Sequence, residues 1–403
     1  MTTRRSPIRI DTSILSGNLL ILATTVFLVA FGEGLFRGAS TNFLVDTLNL
    51  DGNQVMWLEG IREIPGLGLM FIAALLVRLP LTYRAAGSLL LMGIGYGLYA
   101  LTNSYTTLIA VALLSSLGFH NWTPLQGSLA MSLTTRERSG RVMGSMTSVM
   151  SLATIVGMGI IALTTRIFHN MSLRTFYVAG GSLIVLAAVL LLRLPKNVGS
   201  TAARPPRLLI KRRYWLYYVL ILFQGARTQV FHAFGALVLV SYYHMDVSNV
   251  SLFLLVGAVV NLLGTPILGS LIDRYSERVV LSIGYATLAL CFVGYATIHN
   301  PWVLGVLLII INLLLTLQMG LSTYVNRIAP KEELTPTLTT GVSVNHITSV
   351  GGSLLVGTLL SSVGYEKLFL AAAIIVLCSI PFALAMRVEK STLAQEPATA
   401  SAE

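Results

Sequence analysis

Apolar residues run along this chain in long stretches, and short clusters of glycine, proline, asparagine and charged residues interrupt them. A helix rises about 1.5 Å per residue, so about 20 apolar residues in succession cross the hydrocarbon core of a bilayer. Stretches of that length fill almost the whole chain and predict twelve helices of an all-α integral membrane protein. The predicted helices are 14–38, 54–77, 86–103, 105–131, 141–165, 174–193, 214–242, 249–272, 279–298, 301–326, 337–362 and 367–387.

The composition supports the same class of protein. Of the 403 residues, 55% are hydrophobic and 11% are charged, and the mean hydropathy is +0.78. These values exclude an ordinary soluble domain. The first apolar run lacks the small-residue cleavage site of a signal peptide, so we expect it to be retained as a span. Cys291 and Cys378 both lie in apolar runs, which indicates buried, unreactive thiols.

The basic residues predict the orientation of the chain. There are 27 Lys and Arg against 16 Asp and Glu, a net charge of +11. Most of these bases fall in cytoplasmic loops if both termini are cytoplasmic, as the positive-inside rule requires. They would then face anionic lipid headgroups, and no nucleic acid partner is expected. We expect a prokaryotic inner membrane or plasma membrane protein.

A stretch of proline, alanine and basic residues at 194–213 divides the chain and predicts a cytoplasmic linker. It separates two sets of six predicted helices, and residues 94–96 of the first recur faintly as 283–285 of the second. The predicted organisation is a cytoplasmic tail at 1–13, a six-helix bundle at 14–193, the linker, a six-helix bundle at 214–388 and a disordered cytoplasmic tail at 389–403.

The stretch GSLIDRYSER joins predicted helices eight and nine, and its marked residues are Gly269, Asp273, Arg274 and Arg278. A glycine, then an acid and a base four residues later, then a further base, resembles the cytoplasmic loop signature of the major facilitator superfamily of secondary transporters. The resemblance implies two pseudo-symmetric six-helix bundles. It also implies that the glycine permits close helix packing, and that the acid caps a neighbouring helix and pairs with bases to latch a cytoplasmic gate.

The chain departs from the family pattern in two places. The corresponding first-half loop keeps Arg78 and Arg84 but offers no acid, so a first-half latch is missing or differently built. Predicted helix five has Gly157 and Gly159 but lacks the Gly-Pro signature of drug and proton antiporters. A multidrug exporter is therefore disfavoured.

Charged residues inside predicted spans are the main candidates for chemistry. They are Glu33, Arg37, Glu59, Arg62, Glu63 and Arg227. A charge at the bilayer centre costs about 2.5 to 3.5 kcal/mol on insertion scales, so pairing is expected. The five on helices one and two lie in the same half of the membrane and predict one charge network. This network fixes helix packing, or Glu33 or Glu59 in it binds and releases a proton, and the two roles are compatible.

Candidate substrate contacts lie on other helices. Arg227 stands beside a polar stripe of helix seven, and the resemblance implies that helices one, four, seven and ten line a central cavity. A guanidinium there would suit a carboxylate or phosphate; the alternative is that Arg227 pairs with Glu33 or Glu63. The remaining candidates are Gln224, Thr228, His232, His120, Trp122, Gln126, Asn312, Asn345 and His346.

Each histidine is equally open to a packing role. A transition-metal site needs several imidazoles to converge, which these positions do not establish, so neither a metal nor a cofactor is predicted.

The leading hypothesis for function is a monomeric secondary active transporter. It would move a small organic solute, anionic or zwitterionic, by alternating access, with a proton as the coupling ion in symport or antiport. A uniporter of the same fold is one alternative, and a transport-inactive receptor or scaffold is another. The chain lacks the Gly-x-x-x-x-Gly-Lys-Ser/Thr pattern of nucleotide-driven machines and any nucleophile constellation, so no enzyme is expected.

Overall fold

The computed structural model describes residues 17–69, 72, 75–76, 78–135, 138–168, 170–199 and 209–387. The predicted tails and the centre of the predicted linker lie outside these residues. The long helices are α1 Asn18–Arg37, α2 Gly52–Arg62, α3 Leu81–Tyr99, α4 Tyr105–Ser132, α5 Ser139–Ile167, α6 Arg174–Leu191, α7 Trp215–Ser241, α8 Val247–Tyr275, α9 Glu277–Thr297, α10 Pro301–Leu315, α11 Lys331–Val363 and α12 Tyr365–Leu384.

Three of these helices have short extensions. A turn at Ser40–Asn42 and a π-helical turn at Phe43–Thr47 follow α1, and a short helix at Ile64–Leu67 follows α2. After α10 the chain passes through a 3-10 turn at Thr316–Gln318 into a helix at Met319–Ile328. Within the described residues, nine helices are long and apolar enough to cross a membrane, a number consistent with the predicted count of twelve but not a confirmation of it.

Helix starts coincide with the turn chemistry that the sequence offers. The Asp51 side chain accepts a hydrogen bond from the Gln54 backbone N–H, and the Gln54 side chain accepts one from the Asp51 N–H, which forms a capping box at α2. At the starts of α4, α8 and α10, the side chains of Ser104, Asp246 and Asn300 each accept a hydrogen bond from a backbone N–H of the first turn, without the reciprocal bond. These caps fix where each span begins.

Large apolar side chains cover much of the outside of the bundle. Leu75, Leu101 and Leu290 are each more than 70% exposed. In water such a surface would drive aggregation, whereas in a bilayer it contacts acyl chains at no cost. One predicted placement is wrong here: Cys291 is buried, but Cys378 is exposed on α12.

The helices form two groups, α1–α6 and α7–α12, each with its own aromatic core. In the first group the Phe36 and Tyr96 rings stack with centroids 4.1 Å apart. In the second, the Phe234 and Phe369 rings stack at 4.8 Å. Glycines allow close crossings within a group; a Cβ at Gly32 would lie 2.7 Å from the backbone oxygen of Gly180.

The turns of the chain gather at two ends of the bundle. Arg174 Nη1 donates to the Thr102 oxygen over 2.8 Å, and Tyr105 Oη donates to the Gln54 oxygen over 2.9 Å. These contacts join the turns after α1, α3 and α5 at what we call the far end. The start of α1 and the end of α12 lie at the opposite end, which we call the termini end.

Two antiparallel helix pairs, α2 with α11 and α5 with α8, join the groups. Asn53 Nδ2 donates to Ser361 Oγ over 2.9 Å, and Trp57 Nε1 donates to Thr358 Oγ1 over 3.3 Å. We call this α2–α11 seam the zipper.

The second pair closes the far end in the same way. Ser248 Oγ of α8 donates to the Ala162 oxygen of α5 over 3.2 Å. Ser251 Oγ of α8 donates to the Gly38 oxygen over 2.9 Å, beside the end of α1. In the described part of the chain α4 and α10 do not pack together, so the two groups meet at the far end and separate towards the termini end.

Candidate functional site

Helix α2 breaks at Glu63, near the middle of the bundle. Pro65 has no backbone N–H to donate to the Ile61 oxygen, so the α-helical ladder cannot continue past this point. The Gly66 N–H donates to the Glu63 oxygen instead, over 3.0 Å. Ser116 of α4 donates its hydroxyl to the Arg62 oxygen. The sequence predicted one continuous helix at 54–77; the break is a correction, and it presents Glu63 at the end of a helical segment.

The break places Glu63 against two histidines. Its Oε2 lies 3.1 Å from Nδ1 of His346 and 3.8 Å from Nε2 of His120. The two imidazole rings meet edge to face, with centroids 5.0 Å apart. One ligand atom from each of the three residues lies within 4.8 Å of the others. Glu63 and His120 belong to the first helix group and His346 to the second, so this cluster bridges the groups.

Small residues and a proline explain why the three side chains can meet. A Cβ at Gly66 would lie 2.7 Å from Cε1 of His346, so only glycine leaves room for the imidazole. Pro124 lies inside α4 and cannot donate to the carbonyl of His120. Both features favour a locally irregular backbone beside the cluster.

The predicted charge network is only partly continuous. Arg62 Nη1 lies 2.8 Å from Glu59 Oε1, as the three-residue spacing predicts. Glu33 lies within electrostatic range of Arg37 and Arg62. Within the described residues, however, its carboxylate makes no hydrogen bond and no ion pair shorter than 4.0 Å. Arg37 is exposed and lies within electrostatic range of His232 of α7, which places it at the space between the two helix groups, whereas Glu33 is only partly exposed.

Arg227 lies away from that space, which corrects its expected placement. The residue is 6% exposed, and its guanidinium carbon lies 4.0 Å from the centre of the Tyr285 ring of α9. Nη1 also lies 3.4 Å from Ser379 Oγ of α12. The side chain therefore points into the second helix group, and the expected pairing with Glu33 or Glu63 is not formed.

The other predicted substrate contacts differ in the exposure of their side chains. His232 has an exposed side chain within electrostatic range of Arg37 and Glu63. Gln126 and Asn345 are partly exposed, whereas Trp122 is buried in the core.

Most of the candidate polar side chains of α7 and α10 make hydrogen bonds within the second group. Gln224 donates to Gln318. Asn312 donates to the Leu308 oxygen of its own helix over 2.8 Å. Thr228 Oγ1 is buried without a hydrogen-bond partner among the described residues.

The loop after α8 forms an ion-pair chain with residues that sequence reasoning missed. Arg327 Nε lies 2.9 Å from Glu277 Oε1, and Arg327 Nη2 lies 3.4 Å from Asp273 Oδ1. Glu277 is 1% exposed, although it stands only four residues after Asp273. The four-residue spacing of these two acids is the feature of the sequence that could have indicated a role for Glu277.

The other loop residues are less constrained. The guanidinium of Arg274 lies over the ring of its neighbour Tyr275, and Arg278 is exposed. A Cβ at Gly269 would lie 4.0 Å from the sulfur of Met319, an ordinary contact. The close packing expected at this glycine is therefore absent in this conformation.

A family model described as Major Facilitator Superfamily matches residues 22–335 and 225–402. The chain belongs to the major facilitator superfamily. It is therefore an integral membrane transporter, as the sequence predicted, and not an enzyme. No curated protein sequence matches it.

Solved structures of the superfamily share the fold. A point mutant of the nucleoside transporter NupG superposes with a TM-score of 0.76 at 14% identity, over 92% of this chain and 100% of that one. A bacterial homologue of the human lysosomal transporter Spinster, in an inward-facing and occupied conformation, gives 0.68 at 14% identity, over 90% of this chain and 95% of that one. These similarities confirm the predicted fold class.

Proposed function

We propose that this superfamily member is a secondary active transporter that moves a small anionic or zwitterionic organic solute and couples the movement to a proton. The observation that carries the proposal is Glu33. Its carboxylate lies on α1, is partly exposed and makes no hydrogen bond or close ion pair in the described part of the chain. Intramembrane carboxylates of this kind commonly serve as proton relays.

The conformation supports alternating access. We place both termini in the cytoplasm, as the distribution of basic loops predicts. The far end, where the zipper and the α5–α8 pair hold the two groups together, then faces outward. The space between the groups, which we call the cleft, opens towards the cytoplasm. The similarity to the inward-facing Spinster homologue supports this assignment.

Charged neighbours would control the protonation of Glu33. Arg37 on its own helix and Arg62 on α2 both act on it, and Tyr96 on α3 lies within electrostatic range. With Arg62 paired to Glu59, Arg37 is the cation that an incoming proton or solute would perturb most directly. Protonation of Glu33 would remove a nearby negative charge, so Arg37 would attract the anionic group of a solute more strongly.

The coupling role is tested in proteoliposomes. The solute is first identified by a thermal-shift screen of the purified protein against metabolites, with nucleosides included. We expect an imposed pH gradient to drive accumulation of that solute by the parent protein, and Glu33→Gln to abolish accumulation while solute exchange continues.

Glu59→Gln tests the other carboxylate that the sequence predicts to bind the proton. Glu366→Gln, on α12, is the control for the loss of a carboxylate elsewhere in the protein. Accumulation by Glu33→Gln equal to the parent would reject the relay. A parent protein indifferent to the pH gradient would indicate a uniporter.

The solute contact is tested separately. We expect Arg37→Ala to weaken binding of an anionic solute by about tenfold or more, because a charged hydrogen bond is worth about 1.5 to 3 kcal/mol. Arg227→Ala should leave that affinity unchanged, since its guanidinium faces Tyr285. Isothermal titration calorimetry measures the solute affinity of both variants. A loss of affinity in Arg227→Ala but not in Arg37→Ala would mean that Arg227, and not Arg37, contacts the solute.

A further inference from the structure

The cluster of Glu63, His120 and His346 offers more than a hydrogen bond. Three ligand atoms of the types preferred by zinc, two imidazole nitrogens and one carboxylate oxygen, lie within 4.8 Å of one another. We propose that this cluster binds a divalent transition-metal ion such as Zn²⁺, and that the bound ion clamps the two helix groups together at the zipper.

The distances suit a metal ion without a large rearrangement. Ligands that each lie about 2.0 to 2.2 Å from zinc in a tetrahedron stand roughly 3.3 to 3.6 Å apart. The observed separations from Glu63 Oε2 are 3.1 Å to His346 and 3.8 Å to His120, and the imidazole nitrogens lie within 4.8 Å of each other. Rotations of the side chains about their outer bonds would equalise these distances. The three protein ligands leave a fourth position for water or for a group of the solute.

The electrostatic surroundings permit a dication. Glu63 supplies one negative charge, and the positive charge of the neighbouring Arg62 is compensated by Glu59 at 2.8 Å. The three side chains are 9% to 15% exposed, so they are largely shielded from bulk water but not completely buried.

The ligands come from both helix groups, which gives the ion a conformational effect. His346 lies on α11, and the other two ligands lie on α2 and α4. The zipper extends from the far end down to this cluster, ending where Gly66 meets His346. Opening the far end would separate α2 from α11 and remove His346 from the ion.

An ion that binds only one conformation shifts the population towards that conformation. The ratio of closed to open far end rises by the factor 1 + [metal]/Kd, or about 100-fold at a metal concentration 100 times Kd. Zinc would then arrest the alternation of the two groups. This inference needs neither the identity of the solute nor proton coupling, so it can fail or succeed independently of the proposed function.

Metal binding is tested on the purified full chain after removal of any histidine tag. We expect Co²⁺ to bind with one ion per chain and to produce the strong visible absorption of a low-coordinate site, and Zn²⁺ to displace it. His346→Gln and Glu63→Gln, which keep the size of the side chain or a hydrogen-bonding group, should each weaken binding at least tenfold. His299→Ala, in the loop before α10, is the histidine control and should bind as the parent does. Absence of cobalt absorption, or equal binding by His346→Gln and the parent, would overturn the site.

The clamp is tested by accessibility of the far end. In a background without Cys291 and Cys378, a cysteine replaces Leu360, which is buried in the zipper beside Gly52, and a membrane-impermeant thiol reagent is applied. We expect Zn²⁺ to slow labelling of the parent background several-fold and to leave labelling in the His346→Gln background unchanged. Metal binding without any change in labelling would overturn the clamp.

Discussion

The guanidinium of Arg227 lies over the Tyr285 ring, inside the second helix group. A cation over an aromatic face is stabilised by about 2 kcal/mol or more when both are desolvated, and Arg227 is only 6% exposed. Here the aromatic face and the Ser379 hydroxyl compensate part of the cost of burying the charge. The residue is thus better explained by packing between α7, α9 and α12 than by contact with a solute.

A prediction at this scale uses two substitutions of one ring. Tyr285→Leu should lower the thermal unfolding midpoint by several degrees, because it removes the face that holds Arg227. Tyr285→Phe should be neutral or stabilising, since Tyr285 Oη is buried without a hydrogen-bond partner among the described residues. Thermal unfolding followed by tryptophan fluorescence in detergent compares them; equal losses for both variants would argue against the ring–cation contact.

Residue types and depths were predictable from the sequence, but directions around each helix were not. Successive residues of a helix point about 100° apart, so Arg227 could face the cleft or the second group with the same sequence position. The Glu59 and Arg62 contact was predictable because both residues share one helix. The meeting of Glu63 with His120 and His346 joins three helices, and no spacing within the chain encodes it.

At the scale of helices, apolar runs and caps predicted nearly every span, whereas interruptions were missed. Pro65 was visible in the sequence, yet a proline can either kink a helix or end it, and the outcome depends on partners such as the Ser116 hydroxyl. The zipper could not be predicted from the sequence either. It depends on glycines that leave room for side chains of the partner helix, Gly60 for Leu354 and Gly357 for Trp57, and pairing between distant helices has no local signature.

The zipper leads to a prediction that uses two glycines of one helix. A Cβ at Gly357 would collide with the indole of Trp57, whereas a Cβ at Gly351 would meet nothing within 4 Å. Both alanine variants gain about 1 kcal/mol of helix propensity, but Gly357→Ala also incurs about 1 to 3 kcal/mol of overpacking. We expect only Gly357→Ala to open the far end.

The measurement is thiol labelling of a cysteine at the buried position Leu360, in a chain without the native cysteines. Labelling should be faster in Gly357→Ala than in the parent, and unchanged in Gly351→Ala. Equal rates in all three proteins would show that the zipper tolerates the added methyl group and does not depend on glycine for its closure.

At the scale of the whole molecule, the two helix groups meet along seams that must open if the protein alternates between two faces. Each seam pairs a helix of one group with an antiparallel helix of the other, α2 with α11 and α5 with α8. At the far end their hydrogen bonds are made by neutral side chains such as Asn53, Ser361 and Ser248, whereas the Glu63 carboxylate meets His346 at the inner end of the zipper. Because the neutral bonds contribute only about 0.5 to 1.5 kcal/mol each and can be replaced by water, the far end itself can separate at a small cost.

A cross-link across one seam therefore distinguishes a transporter from a rigid scaffold of the same fold. Cysteines replacing Asn53 and Ser361 take the place of side chains that lie 2.9 Å apart, so a short bis-thiosulfonate reagent should join them in this conformation. The control pairs Asn53→Cys with Ser362→Cys, because the Ser362 hydroxyl turns back to the Leu359 oxygen of its own helix. If the far end opens during each cycle, the first cross-link should abolish transport in proteoliposomes, and reductant should restore it, while the control pair stays active. Full transport by the cross-linked first pair would mean that the seam never opens, and the solute would then have to pass by a route other than alternation of the two helix groups.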